Sequence, residues 1–193
     1  TFLSLMKSPL ISLEENMLNS RSEYKSPLHF LSEINSDVAI DIMTKILKER
    51  KEEEVISAIN KKTEFPTNKD VDGFTPLMVA CAVKNKKMIL LLANDERVDI
   101  NTSNKYGERA MSALFQHNEN AFNINQINSN EETMKIIENE TSNEIIDKEE
   151  LQREKDTLLK QNKEDILLVA KSLIDYGSEI DFKVSGTKFL KSL

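Results

Sequence analysis

The sequence predicts an all-α fold assembled from repeated helix–turn–helix units. Three observations carry this reading. Glycine is scarce, with only Gly73, Gly107, Gly177 and Gly186 among 193 residues, whereas a chain rich in strands uses more glycine in its turns. Gly73 and Gly107 lie 34 residues apart, a period typical of stacked repeats. Apolar residues recur at helical spacing: Leu28, Leu31, Ile42, Ile46, Leu77, Ala80, Ile89, Leu92, Met111, Leu114, Leu173 and Ile174 form the expected core.

The segment 68–101 gives the clearest unit. Asp72-Gly73 marks a turn, and Thr75 caps a helix whose first turn holds Pro76, where a missing N–H costs nothing. A second helix follows Lys84-Asn85 and carries Met88, Ile89, Leu91 and Leu92. Val98-Asp99-Ile100-Asn101 closes the unit in an extended form.

These residues resemble an ankyrin repeat: a turn with Asp and Gly, Thr-Pro-Leu opening the first helix with Met78 in place of the family's His, then an aliphatic second helix. The resemblance implies an ankyrin-repeat solenoid of about three to four units. Upstream, Ser26-Pro27-Leu28-His29 is similar to the same helix start and defines a degenerate unit at 21–67. Its second helix, near 38–47, is expected to run on through Glu52-Glu53-Glu54 to Ile59. Residues 1–20 are expected to be a helical cap or a partial repeat. Downstream, Tyr106-Gly107 resembles the turn of a unit at 102–182, and Arg109-Ala110-Met111-Ser112 stands where the family has Thr-Pro-Leu-His. The partner helix of that unit ends at Tyr176-Gly177, beyond an insertion at 118–163. Residues 183–193 are expected to begin a further, truncated unit. Thr1 is not an initiator Met, so the chain is read as a fragment of a larger protein.

The insertion has 11 acidic and six basic side chains, a net of −5 within a total of −7. Ser129/Glu132 and Thr141/Glu144 have capping-box spacing and predict helices over 130–140 and 143–176. Leu159, Ile166 and Leu173 follow one another every seven residues. Two readings stay open: a solvated helical extension that packs on its own domain or is partly disordered, or a helical arm presented to a partner or forming a coiled coil.

Composition narrows the function. The acidic balance offers no basic field for nucleic acid. No run of ~18 apolar residues predicts a membrane span. One cysteine, Cys81, excludes a disulfide within the chain and favours a reducing, intracellular compartment. Nucleophilic catalysis needs a base beside the nucleophile, and the candidates are Cys81 with His29 or His117. Cys81 falls among Ala80 and Ala82 on a tight helix face, and by resemblance His29 hydrogen-bonds within its own turn. Both are therefore read as structural. No metal set, phosphate loop or cofactor motif is expected.

What remains is surface. By resemblance, the contact residues are Val71, Asp72, Phe74, Ala82 and Val83 in the best unit, with Lys105, Tyr106, Glu108, Gln116 and His117 in the next. In the first unit they are Ser22, Glu23, Lys25, Glu33 and Ile34. Phe74 and Tyr106 are the expected anchors, because aromatic side chains dominate interface energetics; packing of Phe74 against the adjacent turn is the equal alternative. The expected function is a non-catalytic protein-binding module for a partner with a basic or amphipathic-helical surface. The alternative is the targeting portion of an enzyme whose catalytic domain lies outside this chain. Self-association through the long helix or the stack ends is a further expectation. The Lys-, Asn-, Ile- and Glu-rich composition also resembles that of proteins from AT-rich genomes, among them bacteria that secrete ankyrin effectors into host cells. For such an effector the expected compartment is the host cytoplasm or nucleus.

Overall fold

The computed structural model describes residues 24–65, 71–116 and 148–179, with Ser4, Met6, Ser8, Ser12, Leu13, Met17 and Leu18 nearer the N-terminus. Seven helices carry the described fold: α1 (Pro27–Glu33), α2 (Asp37–Glu49), α3 (Glu52–Ile59), α4 (Pro76–Ala82), α5 (Lys86–Ala93), α6 (Ala110–Gln116) and α7 (Lys148–Asp175). Two short strands, β1 (Met17–Leu18) and β2 (Tyr24–Lys25), pair antiparallel. The expected helical cap over 1–20 is thus helical at Ser4 and Met6 but gives way to β1. Among the described residues the fold is all-α apart from this ribbon and one antiparallel bridge between Tyr24 and Glu64.

Local chemistry sets the helix starts. Thr75 accepts a hydrogen bond from the Met78 amide at the head of α4, and Ser36 does the same for Ala39 in α2. Pro27 and Pro76 occupy the first turn of α1 and α4. Along α2, Ala39, Ile42, Met43, Ile46 and Leu47 are buried, the i, i+3, i+4, i+7 pattern of a single apolar face. At the far end of α7, Gly177 has φ +93°; the Ser178 amide bonds to the Leu173 carbonyl and the Gly177 amide to that of Ile174, closing the helix in a Schellman motif.

The expected single helix from 38 to 59 is two helices. Arg50 is extended (φ −79°, ψ 156°) and separates α2 from α3. At 100° per residue, a continuous helix would carry Val55 and Ile59 roughly 150° or more away from the α2 core face, toward solvent. The break lets Val55, Ala58 and Ile59 turn inward and be buried. Glu52, Glu53 and Glu54 then occupy the first turn of α3, where acidic side chains meet the positive end of the helix dipole. Arg50 holds the corner by donating to the Ser8 carbonyl (3.0 Å) and to Glu54 (3.2 Å).

The helices pack in two rows. In one, α4 lies between α1 and α6; in the other, α5 contacts both α2 and α7. The pairs α1–α2, α4–α5 and α6–α7 join the rows. Every core residue expected from the sequence is buried except Ile174, which is 45% exposed. One polar device joins successive helix pairs twice. The Asn60 side-chain amide bonds to the Arg97 carbonyl and the Asp99 amide, both at 2.8 Å. Asn101 makes the same two bonds to the Gly177 carbonyl (3.0 Å) and the Glu179 amide (2.8 Å). Asn85, fully buried, caps α5 by accepting from Met88 and donates to the Ser32 and Ile34 carbonyls at the end of α1.

Gly73 (φ +78°) and Gly107 (φ +84°) both need the left-handed backbone, but only Gly73 is crowded: a Cβ there would lie 3.0 Å from Asn104 Cβ. Gly107→Ala is expected to cost about 1 kcal/mol, the conformational penalty alone. Gly73→Ala is expected to cost about 2 kcal/mol, because the clash displaces a hydrogen-bonded neighbour as well. Urea unfolding of the two variants checks the order; equal costs would show that Asn104 yields freely.

Candidate protein-interaction surface

Two turns lie beside the helix pairs, each built around one polar side chain. In the first, Thr63 Oγ1 donates to the Val71 carbonyl (2.8 Å) and accepts from the Phe74 amide (2.9 Å). The Thr63 backbone completes the ring, accepting from the Gly73 amide (3.0 Å) and donating to the Phe74 carbonyl (2.8 Å). In the second, Asn104 Oδ1 accepts from the Tyr106 (2.9 Å) and Glu108 (3.0 Å) amides, and its Nδ2 donates to the Asp72 carbonyl (3.1 Å) and to Glu108 Oε2 (2.7 Å). Asn104 therefore shapes its own turn and ties it to the one before.

The two expected anchors part company. Phe74 is 0% exposed and belongs to the core; Tyr106 is 44% exposed. Val71, Asp72 and Ala82 are buried too, so with Phe74 they are withdrawn as contact residues. The reason is geometric: the turn at 71–74 lies under the following turn, whose Asn104 and Lys105 cover it. Asp72 is held from three sides, by the Phe65 amide (2.8 Å), by an ion pair with Lys105 and through its carbonyl by Asn104. Burial pushes its carboxyl up, but the bonds from Lys105 and Phe65 outweigh that and hold it below the usual carboxylate range.

Lys105 and Tyr106 stand exposed at the tip of the second turn, with Lys105 Nζ 5.2 Å from the Tyr106 ring centroid. Glu108 is half-buried in the same turn, and Gln116 and Val83 are half-buried at the far ends of α6 and α4. Val83 lines a groove with Lys84, Ile89, Leu114 and Ile166. His117 lies outside the described residues, as do Ser22 and Glu23. Lys25 is buried, pairs with the half-buried Glu33 and lies over the Phe30 and Phe65 rings at 5.2 and 5.4 Å; Ile34 is half-buried. This group braces the first unit rather than offering a contact. Thr63, Asn85 and Asn104 were missed in the sequence. Asn104 left a signal, standing three residues before Gly107 in a turn-forming stretch.

Cys81 and His29 both serve structure. Cys81 is fully buried and burial pushes its thiol far up. His29 is fully buried and both its ring nitrogens are engaged. Nδ1 accepts from the Ser26 amide (3.1 Å) and lies 2.7 Å from the Ser26 hydroxyl, while Nε2 lies 2.9 Å from the Phe74 carbonyl. A carbonyl only accepts, so Nε2 carries the hydrogen. His29 thus bonds within its turn, as expected, and also reaches the next unit's turn. Ser112 plays the first of these roles in α6, its hydroxyl accepting from the Arg109 amide at 2.7 Å.

An ankyrin-repeat family model matches residues 72–105. The chain contains an ankyrin repeat. The match runs from the buried turn through α4 and α5 to the exposed tip of the next turn, so the ankyrin unit and the geometry coincide. No curated protein and no solved structure matches the chain. Ankyrin repeats are non-catalytic modules that bind other proteins. No helix among the described residues is long and apolar enough to cross a membrane.

Proposed function

We propose that this chain binds a protein partner through the tip of the second turn, with Tyr106 as the anchor. Lys105 and Glu108 flank the anchor, and Val83 and Gln116 extend the surface along the row that holds α4 and α6. The observation that supports this is a large aromatic ring, 44% exposed, on a turn held by six hydrogen bonds of Asn104 and one ion pair of Lys105. A rigid turn presents the ring with little ordering cost on binding. The partner best suited is a basic or amphipathic-helical protein surface, since the chain carries a net −7. In this reading the units at 21–67, 68–101 and 102–182 correspond to the pairs α1–α2, α4–α5 and α6–α7, with α3 as an addition to the first and 118–163 as an insertion into the third.

Affinity capture from a cell lysate tests it, with the intact chain, Tyr106→Ala and a chain whose residues 120–147 are replaced by a Gly/Ser stretch of equal length. Tyr106→Ala is expected to weaken capture about tenfold or more, a loss of at least ~1.4 kcal/mol. Its thermal midpoint should be unchanged, because an exposed side chain contributes little to the fold. A partner retained by Tyr106→Ala and lost with the replaced segment would move the binding site off the turn and onto the insertion.

A further inference from the structure

The outer face of α7 has a pattern that a merely solvated helix does not need. Val169, Ala170 and Leu173 are buried, with Asp165, Ile166 and Ser172 half-buried beside them, on the side that meets α5 and α6. On the opposite side, at 100° per residue, Lys160, Glu164, Leu167, Leu168, Lys171 and Asp175 share an arc of about 100°. All six are exposed, and the two leucines stand 39% and 53% free. Among the described residues none of the four charged side chains has an ion-pair partner. Read along the helix, the face is positive, negative, leucine, leucine, positive, negative.

That order is self-complementary when one copy is reversed. We propose that this face pairs antiparallel with a second copy of the chain, about a twofold axis passing between Leu167 and Leu168. The axis sets Leu167 of each copy against Leu168 of the other. The same operation sets Glu164 against Lys171 and Lys160 against Asp175, so all four charges find opposite partners. A parallel pairing would set each charge against itself. The interface is isologous, as closed dimers require. It is also small: one helix face buries well under the ~1,200 Å² of stable complexes, so the dissociation constant should lie in the range of about 10 to 1,000 μM. The proposal rests on α7 alone and does not depend on the turn-tip reading.

Sedimentation equilibrium over a wide concentration range tests it. The unaltered chain should pass from monomer to dimer. Glu164→Lys sets lysine against Lys171, and Lys171→Glu sets glutamate against Glu164, twice per dimer in each case. Each should therefore weaken self-association about tenfold. Mixed together, the two variants should recover the original affinity, because each mutated position then meets its opposite charge. Leu167→Glu with Leu168→Glu should leave a monomer, with an unchanged circular dichroism spectrum showing that the fold persists. A chain that stays monomeric to about 1 mM overturns the proposal. So does a dimer indifferent to the charge reversals, or a mixture that fails to regain affinity.

Discussion

Phe74→Ala is expected to lower the unfolding free energy by about 4 kcal/mol, the largest loss from any single truncation in the described turns. The ring is fully buried at the junction of two units. Its backbone is committed there as well: the Phe74 carbonyl receives both His29 Nε2 (2.9 Å) and the Thr63 amide (2.8 Å), and its own amide donates to Thr63 Oγ1. The backbone therefore cannot follow a shrunken side chain inward, and a cavity should remain. Because repeat stacks are stabilised by nearest-neighbour interfaces, a defect at this junction weakens the first and second units together. Phe74→Leu keeps much of the volume and should lose about 1 to 2 kcal/mol. Thermal unfolding followed by circular dichroism should place Phe74→Ala on the order of 10 °C below the unaltered chain, with Phe74→Leu between them. Unchanged stability in Phe74→Ala, together with lost partner capture, would return the ring to the role of an interface anchor.

The contrast between Phe74 and Tyr106 shows where the sequence was legible and where it was not. The turn, α4 and α5 were readable because their signals are local: an Asp-Gly turn, a Thr-Pro helix start, an aliphatic run. The expected core was readable from periodicity, and Ile174 escaped burial because it sits beyond the edge of the buried α7 face, near Leu167. The side on which an aromatic faces depends on what lies over it. Phe74 follows Gly73 beneath the turn at 104–107, whereas Tyr106 precedes Gly107 at that turn's exposed tip. The His29–Phe74 bond spans 45 residues and left no local trace. The break at Arg50, by contrast, was present in the sequence: the apolar residues of 52–59 are out of phase with those of 39–47, and one continuous helix cannot bury both sets. The long helix expected over 143–176 corresponds to α7, described from Lys148 to Asp175, while the helix expected over 130–140 lies outside the described residues.

Acid should weaken the fold from about pH 6.5 downward, through His29. Burial holds the His29 pKa down, from the usual 6.5 to about 4; the charges of Lys25 and Lys61 act in the same direction, and the Phe74 carbonyl opposes them. The geometry explains why the proton is unwelcome. Nδ1 is the acceptor for the Ser26 amide at 3.1 Å, and a hydrogen placed there would face another donor inside the core. Above pH 6.5 the imidazole is neutral in both the folded and unfolded chain, so its contribution is fully present. Between pH 6.5 and about 4 the unfolded chain binds the proton and the folded chain does not, and stability falls as the pH drops. The total loss is about 3 kcal/mol, at no more than ~1.4 kcal/mol per pH unit. The raised pKa of Glu33, caused by burial against the opposing pull of Lys25, acts with the opposite sign. Urea unfolding at pH 7.5, 6, 5 and 4.5 should show the decline in the unaltered chain. In His29→Gln, which keeps an amide able to donate and accept but cannot take up a proton, stability should be lower at pH 7.5 and nearly flat across the same window. A flat profile in the unaltered chain, or an undiminished slope in His29→Gln, would mean that His29 is not the group linking this fold to pH.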